Sequence, residues 1–420
     1  MKQSQLFTKT RKEAPKDEVA KNAELLIRAG YIHKEMAGVY SYLPLGLRVI
    51  NKIANIIREE MNDIGGQELL LTTLQDSTVW TKTGRWQDDA VDNWFKTKLK
   101  NGVDVGIANT HEEPLTALLK EYVSSHRDLP LYVYQIQTKF RNELRAKSGI
   151  LRGREFLMKD LYSFSRTEAE FKEFYEKCAE AYMKIFERVG LKDVTYRTAA
   201  AGGSFTTGLT DEFQVITPSG EDIIYVNEKK RIAVNKEVYT DETLKKFNLK
   251  KEDMVENKSI EVGNIFPLGT KYTEALGLTY KDESGKEQPV IMGSYGIGLG
   301  RVMGTIVEVL SDNKGIVWPE SVAPFKVHLI SLASGDGETK KVADALYQKL
   351  IDSGVEVLYD DRDLRAGEKF ADSDLLGLPI RLVISDKTVK AGKIEFKRRT
   401  EEKAELLDET AILKLVHIKK

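Results

Sequence analysis

Residues 132–164 hold the pattern that most constrains the fold of this chain, because two kinds of side chain alternate along one segment before a basic loop. Alternate positions of that segment carry Tyr132, Tyr134, Ile136, Thr138 and Phe140. The positions between them carry Gln135, Gln137, Lys139 and Arg141. A period of two residues is typical of a half-buried β-strand. We therefore predict an antiparallel hairpin whose apolar face packs on a core and whose polar face meets a ligand.

The loop of this hairpin is basic, and a second predicted strand begins at Glu155 and Phe156. The cations of the loop are Arg145, Lys147, Arg152 and Arg154. A guanidinium held on a strand, such as that of Arg141, matches two phosphate oxygens at once. The ring of Phe156 can stack on a nucleobase. The pattern predicts a nucleotide site built on a hairpin. The alternative is an ordinary hairpin with a solvated loop.

Size and composition indicate a globular chain of two or three domains. It has 420 residues, of which 41% are hydrophobic and 31% charged. A net charge of −1 does not favour nucleic acid, although local patches rather than totals attract phosphates. One cysteine and five scattered histidines predict neither a disulfide framework nor a Cys/His zinc cluster. No apolar run is long enough to span a membrane, so we expect a cytoplasmic protein.

Two amphipathic helices are predicted from apolar residues at helical spacing. The first has Leu47, Ile50, Ile53, Ile57 and Met61 on one face and stops at Gly65-Gly66. The second runs over 168–189, with Thr167 and Glu170 as its capping box and Gly190 as its stop. Cys178 lies on the apolar stripe of the second helix, so we predict that it is buried.

The hairpin resembles motif 2 of the class II aminoacyl-tRNA synthetases, whose pattern is F-R-x-E, a variable loop, then R-x-x-x-F. Phe140-Arg141-Asn142-Glu143 fits the first half and Arg152 to Phe156 the second, within residues 131–164. The flanking YQIQTKFR and REFLMKDLYSF are similar to the bacterial-type prolyl-tRNA synthetases. The resemblance implies an α+β fold, with a class II catalytic domain of antiparallel sheet flanked by helices and then an α/β anticodon-binding domain.

Two further segments resemble the other class II motifs. Residues 38–75 are similar to motif 1, which implies a homodimer, although Thr72-Thr73 stand where the family has a proline. A plain amphipathic core helix is the alternative. Residues 290–310 are similar to motif 3 and contain GSYGIGLGRVMG, with Arg301 as the phosphate-facing arginine. A dinucleotide-binding turn is the competing interpretation of these glycines, but their spacing does not fit G-x-G-x-x-G.

Two segments resemble the amino-acid site of the prolyl family. Thr110-His111-Glu112-Glu113 is similar to its T-x-E loop, in which a hydroxyl and a carboxylate take the two donors of proline's ring nitrogen. As bare sequence it is also compatible with a helix cap and first-turn acids. Residues 201–215 resemble the stretch G-G-S…S-H-E-F, with Asp211 where a histidine is usual. Asp211, Glu212 and Gln214 are therefore candidate pocket residues.

The last hundred residues alternate strand and helix patterns in the βαβ manner. They resemble the anticodon-binding domain of the prolyl, threonyl, glycyl and histidyl enzymes, which implies domains at 1–319 and 320–420. Asp361, Arg362 and Lys369 fall in a stretch similar to the family's D-D-R…G-x-K-F, so we expect them to bind tRNA. Salt-bridged surface residues are the alternative.

The resemblance implies a two-step reaction in which L-proline and ATP give prolyl-adenylate, and prolyl then passes to tRNA(Pro). Arg141 would hold the α-phosphate, and Arg152 and Arg301 would hold the terminal phosphates. Glu143 would bind the adenine amino group, and Phe156 would stack on the base. Mg²⁺ would bridge phosphate oxygens, with no metal site made of protein groups alone. Arg145 and Lys147 would reach the acceptor end of the tRNA.

The sequence lacks room for an editing domain, which many bacterial prolyl enzymes carry between motifs 2 and 3. Residues 217–263 leave room only for a short surface excursion, so we expect no editing in cis. Two other hypotheses remain open at this stage. One is another synthetase with this anticodon domain, although a threonyl enzyme needs zinc ligands. The other is a catalytically silent paralogue that binds tRNA or regulates a partner.

Overall fold

The computed structural model describes residues 1–144, 146, 148–203, 205–206, 208–333 and 337–416. The chain divides into two compact units. The first, called here the sheet unit, comprises residues Met36–Tyr40 and Ile53–Thr305. The second, called the mixed unit, comprises Met1–Glu35, Ser41–Lys52 and Ile306–Lys420. Within the described residues, no helix combines the length and the apolar character that crossing a membrane requires.

The described helices are α1 (Lys21–Arg28), α2 (Pro44–Asp63), α3 (Ser77–Lys82), α4 (Glu112–Leu119), α5 (Glu168–Arg188), α6 (Asp241–Lys246), α7 (Lys271–Leu276), α8 (Leu299–Leu310), α9 (Glu338–Asp352), α10 (Ala366–Leu376), α11 (Asp386–Lys390) and α12 (Glu409–Val416). The strands up to residue 201 are β1 (Ile32–Met36), β2 (Val39–Tyr42), β3 (Gln67–Glu68), β4 (Leu74–Asp76), β5 (Lys96–Lys98), β6 (Asp104–Ile107), β7 (Leu131–Phe140), β8 (Glu155–Ser165) and β9 (Thr195–Ala201). Those that follow are β10 (Leu209–Ile216), β11 (Asp222–Asn227), β12 (Ile232–Asn235), β13 (Val255–Gly269), β14 (Thr279–Lys281), β15 (Glu287–Pro289), β16 (Ile291–Gly298), β17 (Val327–Leu332), β18 (Val357–Asp360), β19 (Ile380–Ser385), β20 (Ile394–Arg398) and β21 (Glu405–Leu407).

A nine-stranded sheet forms the frame of the sheet unit, in the order β10-β9-β12-β11-β13-β16-β8-β7-β3. Neighbouring strands are antiparallel except at the pairs β12–β9 and β3–β7. The predicted hairpin is β7 and β8, whose register pairs Phe140 with Glu155. Because β16 pairs with β8 and β13 pairs with β16, the hairpin, the glycine-rich strand and the long strand β13 lie side by side.

The predicted helix over 168–189 is α5, which packs on β8 and β16. Thr167 caps it by accepting a 3.2 Å hydrogen bond from the backbone N–H of Glu170, and Gly190 follows it with a φ of +83°. Cys178 is buried, as predicted. The other predicted helix is α2, and Ile50, Ile53, Ile57 and Met61 are buried. Leu47, at the start of the same apolar stripe, is 47% exposed.

Strand β7 departs from the predicted division into a core face and a ligand face. Its polar residues Gln135, Gln137 and Lys139 are buried, whereas Ile136 and Phe140 are only half-buried. The polar face is covered because it meets a buried carboxylate, Asp160, on the paired strand β8. Burial of these groups is possible because they satisfy one another by hydrogen bonds.

The expectation of a short surface excursion within residues 217–263 was partly wrong. This segment contains β12, which pairs with β9 and β11 inside the main sheet. It also contains α6, and a small apolar cluster forms where Val234, Leu244 and Leu249 are buried. The run of three apolar residues from Ile232 to Val234 was the available signal, and the charged residues around it obscured that signal. The segment therefore contributes to the frame of the sheet unit.

The last hundred residues of the mixed unit form a five-stranded sheet in the order β18-β17-β19-β20-β21. The first three strands are parallel, as the βαβ pattern predicts, and β20 and β21 are antiparallel additions at one edge. Helix α9 covers Glu338–Asp352 between the parallel strands β17 and β18, as the alternating pattern predicts. The core of this part includes Leu329, Leu346, Tyr359, Leu382 and Phe396.

Candidate active site

One pocket of the sheet unit collects the candidate nucleotide residues. It is lined by Arg141 at the end of β7, Glu143 and Arg152 from the loop, Phe156 from β8, Glu261 from β13 and Arg301 from the first turn of α8. The glycines of β16 keep the wall of the pocket open. A Cβ at Gly296 would stand 2.9 Å from the side-chain oxygen of Asn264. Backbone, rather than side chain, therefore forms this wall.

Arg141 is the cation of this pocket that lacks a partner. Its guanidinium makes no hydrogen bond or ion pair with any other residue in the described part of the chain. It lies 5.4 Å from the centre of the Phe156 ring, within the range of a cation–π contact. The pKa of Arg141 is lowered, first by burial and then by the positive charge of Arg301. A guanidinium in this state favours an anionic ligand.

The other two arginines of the pocket are held by acids. Nη1 of Arg301 donates to the carboxylate of Glu261 at 3.0 Å, and its Nε donates to the backbone carbonyl of Leu151 at 2.9 Å. Nε of Arg152 donates to Glu143 at 3.0 Å. Arg152 is exposed, so this pair can exchange for other partners at little cost. The arrangement fixes Arg301 more firmly than Arg152.

Three carboxylates stand on neighbouring strands beside Arg301. The side-chain amide of Gln214 donates to Glu212 at 2.9 Å and to Asp222 at 3.1 Å. Gln214 pairs in register with Glu261 on β13. Burial and the charge of Glu261 raise the pKa of Glu212 to about 7. Burial also raises the pKa of Asp222. The site therefore carries more negative charge than its own cations balance.

The sequence did not indicate Glu261 or Asp222 as site residues. A signal was present for Glu261, since it lies between Ile260 and Val262, which are both buried. An acid between two core residues of a strand points to the opposite face, where it needs a partner. For Asp222 the surrounding sequence gave no such signal, and only the pairing of β11 with β13 brings it to the site.

The Thr110–Glu113 segment forms a second, buried part of the site. Oγ1 of Thr110 donates to Glu112 at 2.6 Å, and Oγ of Ser294 on β16 donates to the other oxygen of Glu112 at 3.2 Å. Arg85 pairs with Glu113 at 3.0 Å and with Glu112 at 3.7 Å. Burial raises the pKa of Glu113 to about 7. One arginine thus serves two carboxylates, and the sequence did not single it out.

A polar network beneath this segment involves the buried face of β7. Nζ of Lys139 lies 2.8 Å from Nδ1 of His111 and 3.0 Å from Asp160. The other ring nitrogen of His111 lies 3.0 Å from the carbonyl of Thr72. Burial, and then the charge of Lys139, lower the pKa of His111 to about 4. At neutral pH His111 is therefore uncharged, and its ring lies between the ammonium of Lys139 and the backbone carbonyl of Thr72.

Comparison with known proteins gives the same assignment as the motifs. Residues 95–310 match the class II core domain of the tRNA synthetases for G, H, P, S and T, and residues 326–417 match the anticodon-binding domain. The proline–tRNA ligase of Parvibaculum lavamentivorans is 40% identical over 440 residues, covering 99% of this chain and 100% of that protein. The chain belongs to the proline–tRNA ligase family. The predicted family and fold class are thereby confirmed.

Other members of the family and two solved structures agree. The proline–tRNA ligase of Caulobacter vibrioides strain NA1000 is 39% identical, with 95% of each chain covered. The prolyl-tRNA synthetase of Cryptosporidium parvum, solved with L-proline and AMP, has a TM-score of 0.75 at 18% identity, covering 94% of this chain and 74% of that one. The Giardia lamblia enzyme, solved with prolyl-adenylate, has a TM-score of 0.75 at 17% identity, covering 93% and 74%. These two likenesses concern the fold.

Asp211, which stands where the family has a histidine, does not line the pocket around Arg141. It lies on the face of β10 opposite to Glu212 and Gln214, since successive residues of a strand point to opposite faces. Its carboxylate accepts hydrogen bonds of 2.9 Å from Tyr175 and from Arg197. These three residues line a separate pocket. The structure therefore separates Asp211 from the other two candidates of this strand.

The candidate tRNA-binding residues differ in accessibility. Arg145 and Lys147 lie outside the described residues. Asp361 accepts hydrogen bonds from the backbone and hydroxyl of Ser4, and Arg362 pairs with Asp360 and Asp372. Lys369 is only 2% exposed, and its Nζ donates to the carbonyl of Ser331 at 2.6 Å. Its position corrects the expectation of a direct contact, because the ammonium is already enclosed by acceptors.

Proposed function

We propose that this chain activates L-proline with ATP and transfers the prolyl group to the 3′ end of tRNA(Pro). The observation that carries the proposal is the unpaired guanidinium of Arg141 between two prepared sites. On one side are Phe156, Arg152 and Arg301, and on the other is the Thr110–Glu113 segment. Burial and the charge of Glu112 both act on the pKa of Arg141, in opposite directions. The α-phosphate of ATP and the carboxylate of proline, lying side by side between the two sites, would neutralise the positive charge of Arg141.

Thr110 and Glu112 are proposed to bind the ring nitrogen of proline. That nitrogen is a secondary ammonium with two N–H donors, so a hydroxyl oxygen and a carboxylate can accept one each. Support comes from the burial of both side chains and from the Ser294 hydroxyl, which fixes the second oxygen of Glu112. The proline carboxylate would then point toward Arg141.

Catalysis in this proposal is positioning and charge neutralisation. A carboxylate oxygen of proline attacks the α-phosphorus, and the bond from that phosphorus to the pyrophosphate oxygen breaks. Arg141 holds the α-phosphate, and Arg152 and Arg301 hold the leaving phosphates. The ring of Phe156 stacks on adenine, and the carboxylate of Glu143 accepts a hydrogen bond from the adenine amino group. In the second step a ribose hydroxyl of the terminal tRNA adenosine attacks the prolyl carbonyl, and AMP leaves. No protein nucleophile is required.

The carboxylates beside Arg301 fit a role in binding Mg²⁺ together with ATP. Within the described residues there is no group of three or more acidic, histidine or cysteine side chains able to hold a metal alone. Mg²⁺ commonly takes one or two carboxylates and completes its shell with phosphate oxygens and water. Burial, and after it the charge of Glu261, raise the pKa values of Glu212 and Asp222, and a bound cation would favour the ionised form of both carboxylates. When bound, Mg²⁺ would supply positive charge to the phosphates, and one or two of the carboxylates of Glu212, Asp222 and Glu261 would hold it together with the phosphate oxygens.

The proposal extends to the partners and to the domains. Arg145 and Lys147 would contact the acceptor end of the tRNA, whereas Asp361 and Arg362 would contact the anticodon and Lys369 would support their loop from below. The catalytic domain is proposed to cover 1–319 and the anticodon domain 320–420.

A homodimer through residues 38–75 is supported by the exposed side chains of Leu70 and Leu74 just after α2. We propose a cytoplasmic location.

Editing in cis is not part of the proposed function. Between Thr217 and Gly263 the chain forms β11, β12, α6 and the first half of β13, so no domain-sized insertion is present there. Alanine lacks part of the proline ring, and a missing methylene costs only about 1–3 kcal/mol in a pocket. Discrimination against alanine would therefore depend on the pocket alone or on another protein.

Charging of a tRNA(Pro) transcript by the purified chain tests the whole proposal. We expect radiolabelled proline to accumulate on the transcript in an ATP- and Mg²⁺-dependent manner, and a transcript with a different anticodon to be a poorer substrate. Folded protein that binds the transcript but neither charges it nor supports proline-dependent ATP–pyrophosphate exchange would contradict the proposal. That result would instead identify a silent paralogue.

A further inference from the structure

A groove in the mixed unit shares no lining residue with the pocket around Arg141. The segment before α1 forms one wall, helix α10 forms the other, and Lys314 lies at one end. Its charged lining residues are Lys9, Arg11, Lys12, Arg28, Lys314, Arg362, Glu368, Asp372 and Asp374. Six of these side chains are basic and three are acidic, so the lining is positive although the whole chain is nearly neutral. A local excess of this kind attracts anions.

Four of these cations are free to bind a ligand. Lys9, Arg11, Lys12 and Lys314 are exposed and form no ion pair with another described residue. The other two are engaged, since Arg28 pairs with Glu24 and Arg362 pairs with Asp372. Three of the four free cations are close in sequence on the segment that precedes α1. This basic segment therefore faces the groove with charges that the protein itself does not neutralise.

The basic segment is fixed in place by hydrogen bonds. Oγ1 of Thr10 donates to Asp372 on α10 at 2.6 Å, and the backbone N–H of Arg11 donates to the carbonyl of Arg28 at 2.7 Å. The carboxylate of Asp372 also accepts a hydrogen bond from Arg362 at 2.8 Å. The basic segment and the candidate anticodon loop therefore share one carboxylate. A segment held in this way loses little conformational entropy when it binds.

The charge of Lys314 also acts on Lys397, which lies on the interior strand β20 of the five-stranded sheet. Arg381 on β19 and Lys397 on β20 are directly paired across the strands. Like charges in that position are unfavourable. Burial lowers the pKa of Lys397, and the charges of Arg381, Lys314 and Arg399 lower it further, against the opposite effect of Asp374. In addition, Nε of Arg381 is buried without a hydrogen-bond partner. Two of these cations are paired with acids, since Arg381 donates to Asp374 at 3.3 Å and Arg399 to Asp312 at 2.7 Å, whereas Lys397 has no ion pair with another described residue.

We propose that Lys9, Arg11, Lys12, Lys314 and Lys397, called here the basic track, bind the phosphate backbone of the anticodon stem of tRNA. Regularly placed phosphates on a duplex can contact cations spread along a surface, whereas a small anion would engage only one end of the track. The candidate anticodon residues Asp361 and Arg362 adjoin the same groove, which places the loop of the RNA beside its stem. The choice of tRNA as the RNA rests on the proposed function.

Binding of an isolated RNA hairpin tests the basic track without involving the reaction. The probe is the anticodon arm of tRNA(Pro), and the full-length protein is titrated at several salt concentrations. We expect K9A/R11A/K12A to weaken binding at least 10-fold in 50 mM salt. The slope of log Kd against log salt should fall by about 2–3, because roughly one counterion is released per phosphate contact. K314A/K397A should weaken binding in the same way and serves as an independent variant.

The control K340A/K341A/K403A removes three exposed lysines of the same unit that do not line the groove. It should bind the hairpin like the original protein. A hairpin with the same stem and another anticodon should lose affinity by the same factor in the track variants, because backbone contacts carry no sequence information. Unchanged affinity and salt slope in both track variants would overturn the inference. Absence of proline-dependent exchange, with hairpin binding still sensitive to the track, would overturn the proposed function alone.

Discussion

The hydroxyl of Thr110 donates a 2.6 Å hydrogen bond to the carboxylate of Glu112 two residues later, and both side chains are buried. The second oxygen of Glu112 accepts from Ser294, which lies on the glycine-rich strand β16. The carboxylate is therefore fixed between the segment before α4 and the central sheet. Its orientation is set before any ligand arrives, which is the condition for selective binding of a small cation.

Replacement of Glu112 by glutamine should impair proline binding selectively. E112Q keeps the shape of the side chain but removes the charge that would pair with the ring ammonium. A charge-assisted hydrogen bond is worth about 1.5–3 kcal/mol, so we expect KM for proline in ATP–pyrophosphate exchange to rise about 10- to 100-fold. KM for ATP should change much less. The control E121Q alters an exposed acid just after α4 and should leave both constants unchanged. An equal rise in both KM values would indicate that Glu112 acts only on the fold.

Loss of Arg85 should destabilise the protein more than loss of an exposed arginine. R85M leaves Glu112 and Glu113 buried without their shared cation, and breaking a buried ion pair costs about 3–5 kcal/mol. The double variant R85M/E113Q should recover part of this loss, because it removes one of the two stranded charges. Urea unfolding gives the free energies. As a matched control, R58M breaks the half-exposed pair with Glu68 and should cost less than about 1 kcal/mol. Strict additivity of R85M and E113Q would contradict the shared-cation interpretation.

The raised pKa of Glu212 should make nucleotide binding depend on pH. The carboxyl titrates near pH 7 instead of near its ordinary value of 4.5, so the folded protein retains a proton between these values. This contribution to stability is present below pH 4.5 and is lost as the pH rises through about 7. Bound Mg²⁺ with ATP would favour the ionised form. Affinity for ATP in the presence of Mg²⁺ should therefore increase between pH 6 and pH 8, with release of a proton.

Calorimetry in two buffers of different ionisation enthalpy measures that proton directly. The variant E212Q cannot ionise, so we expect both the proton release and the increase in affinity over this pH range to be strongly reduced. Glu113 also has a pKa of about 7, so E113Q is the control that separates the two groups. The assignment to Glu212 would fail if E113Q, and not E212Q, removed the effect.

The parts of the site that the sequence revealed are those encoded by short contiguous motifs. Arg141, Glu143, Arg152 and Phe156 belong to one hairpin, and local alternation fixed their direction. Glu261 and Asp222 reach the same site only because β13 and β11 occupy particular places in the nine-stranded sheet. Such places follow from long-range pairing, which no local pattern specifies. Asp211 illustrates the opposite case, since a one-residue difference along β10 turns its side chain to the other face.

Burial of polar residues was the other feature that local patterns did not predict. Lys139 carries a charge and alternates with apolar residues, so the pattern predicts that its face of β7 meets solvent or a ligand. In the fold it is enclosed because Asp160 and His111 provide partners from two other segments. The partner residues, rather than the strand itself, determine which face becomes buried.

Alanine should be a measurable substrate of this chain. The chain has no editing insertion between motifs 2 and 3, and the pocket can exclude alanine only through lost apolar contacts worth about 1–3 kcal/mol. We expect alanine-dependent ATP–pyrophosphate exchange at a lower kcat/KM than with proline, and slow hydrolysis of added alanyl-tRNA(Pro). Threonine and cysteine serve as comparison substrates. Rapid deacylation of alanyl-tRNA(Pro) by the purified protein would show that an editing activity exists within this chain.

Amino-acid-dependent ATP–pyrophosphate exchange tests the central claim most directly, because it isolates adenylate formation and requires no tRNA. The original protein should show strong exchange with proline, and R141A should lose at least about 100-fold in kcat, since Arg141 is the unpaired cation proposed to hold the α-phosphate. The control R127A changes an arginine outside the pocket and should retain full exchange. Absence of exchange with any amino acid from the folded original protein, or full activity of R141A, would contradict the account.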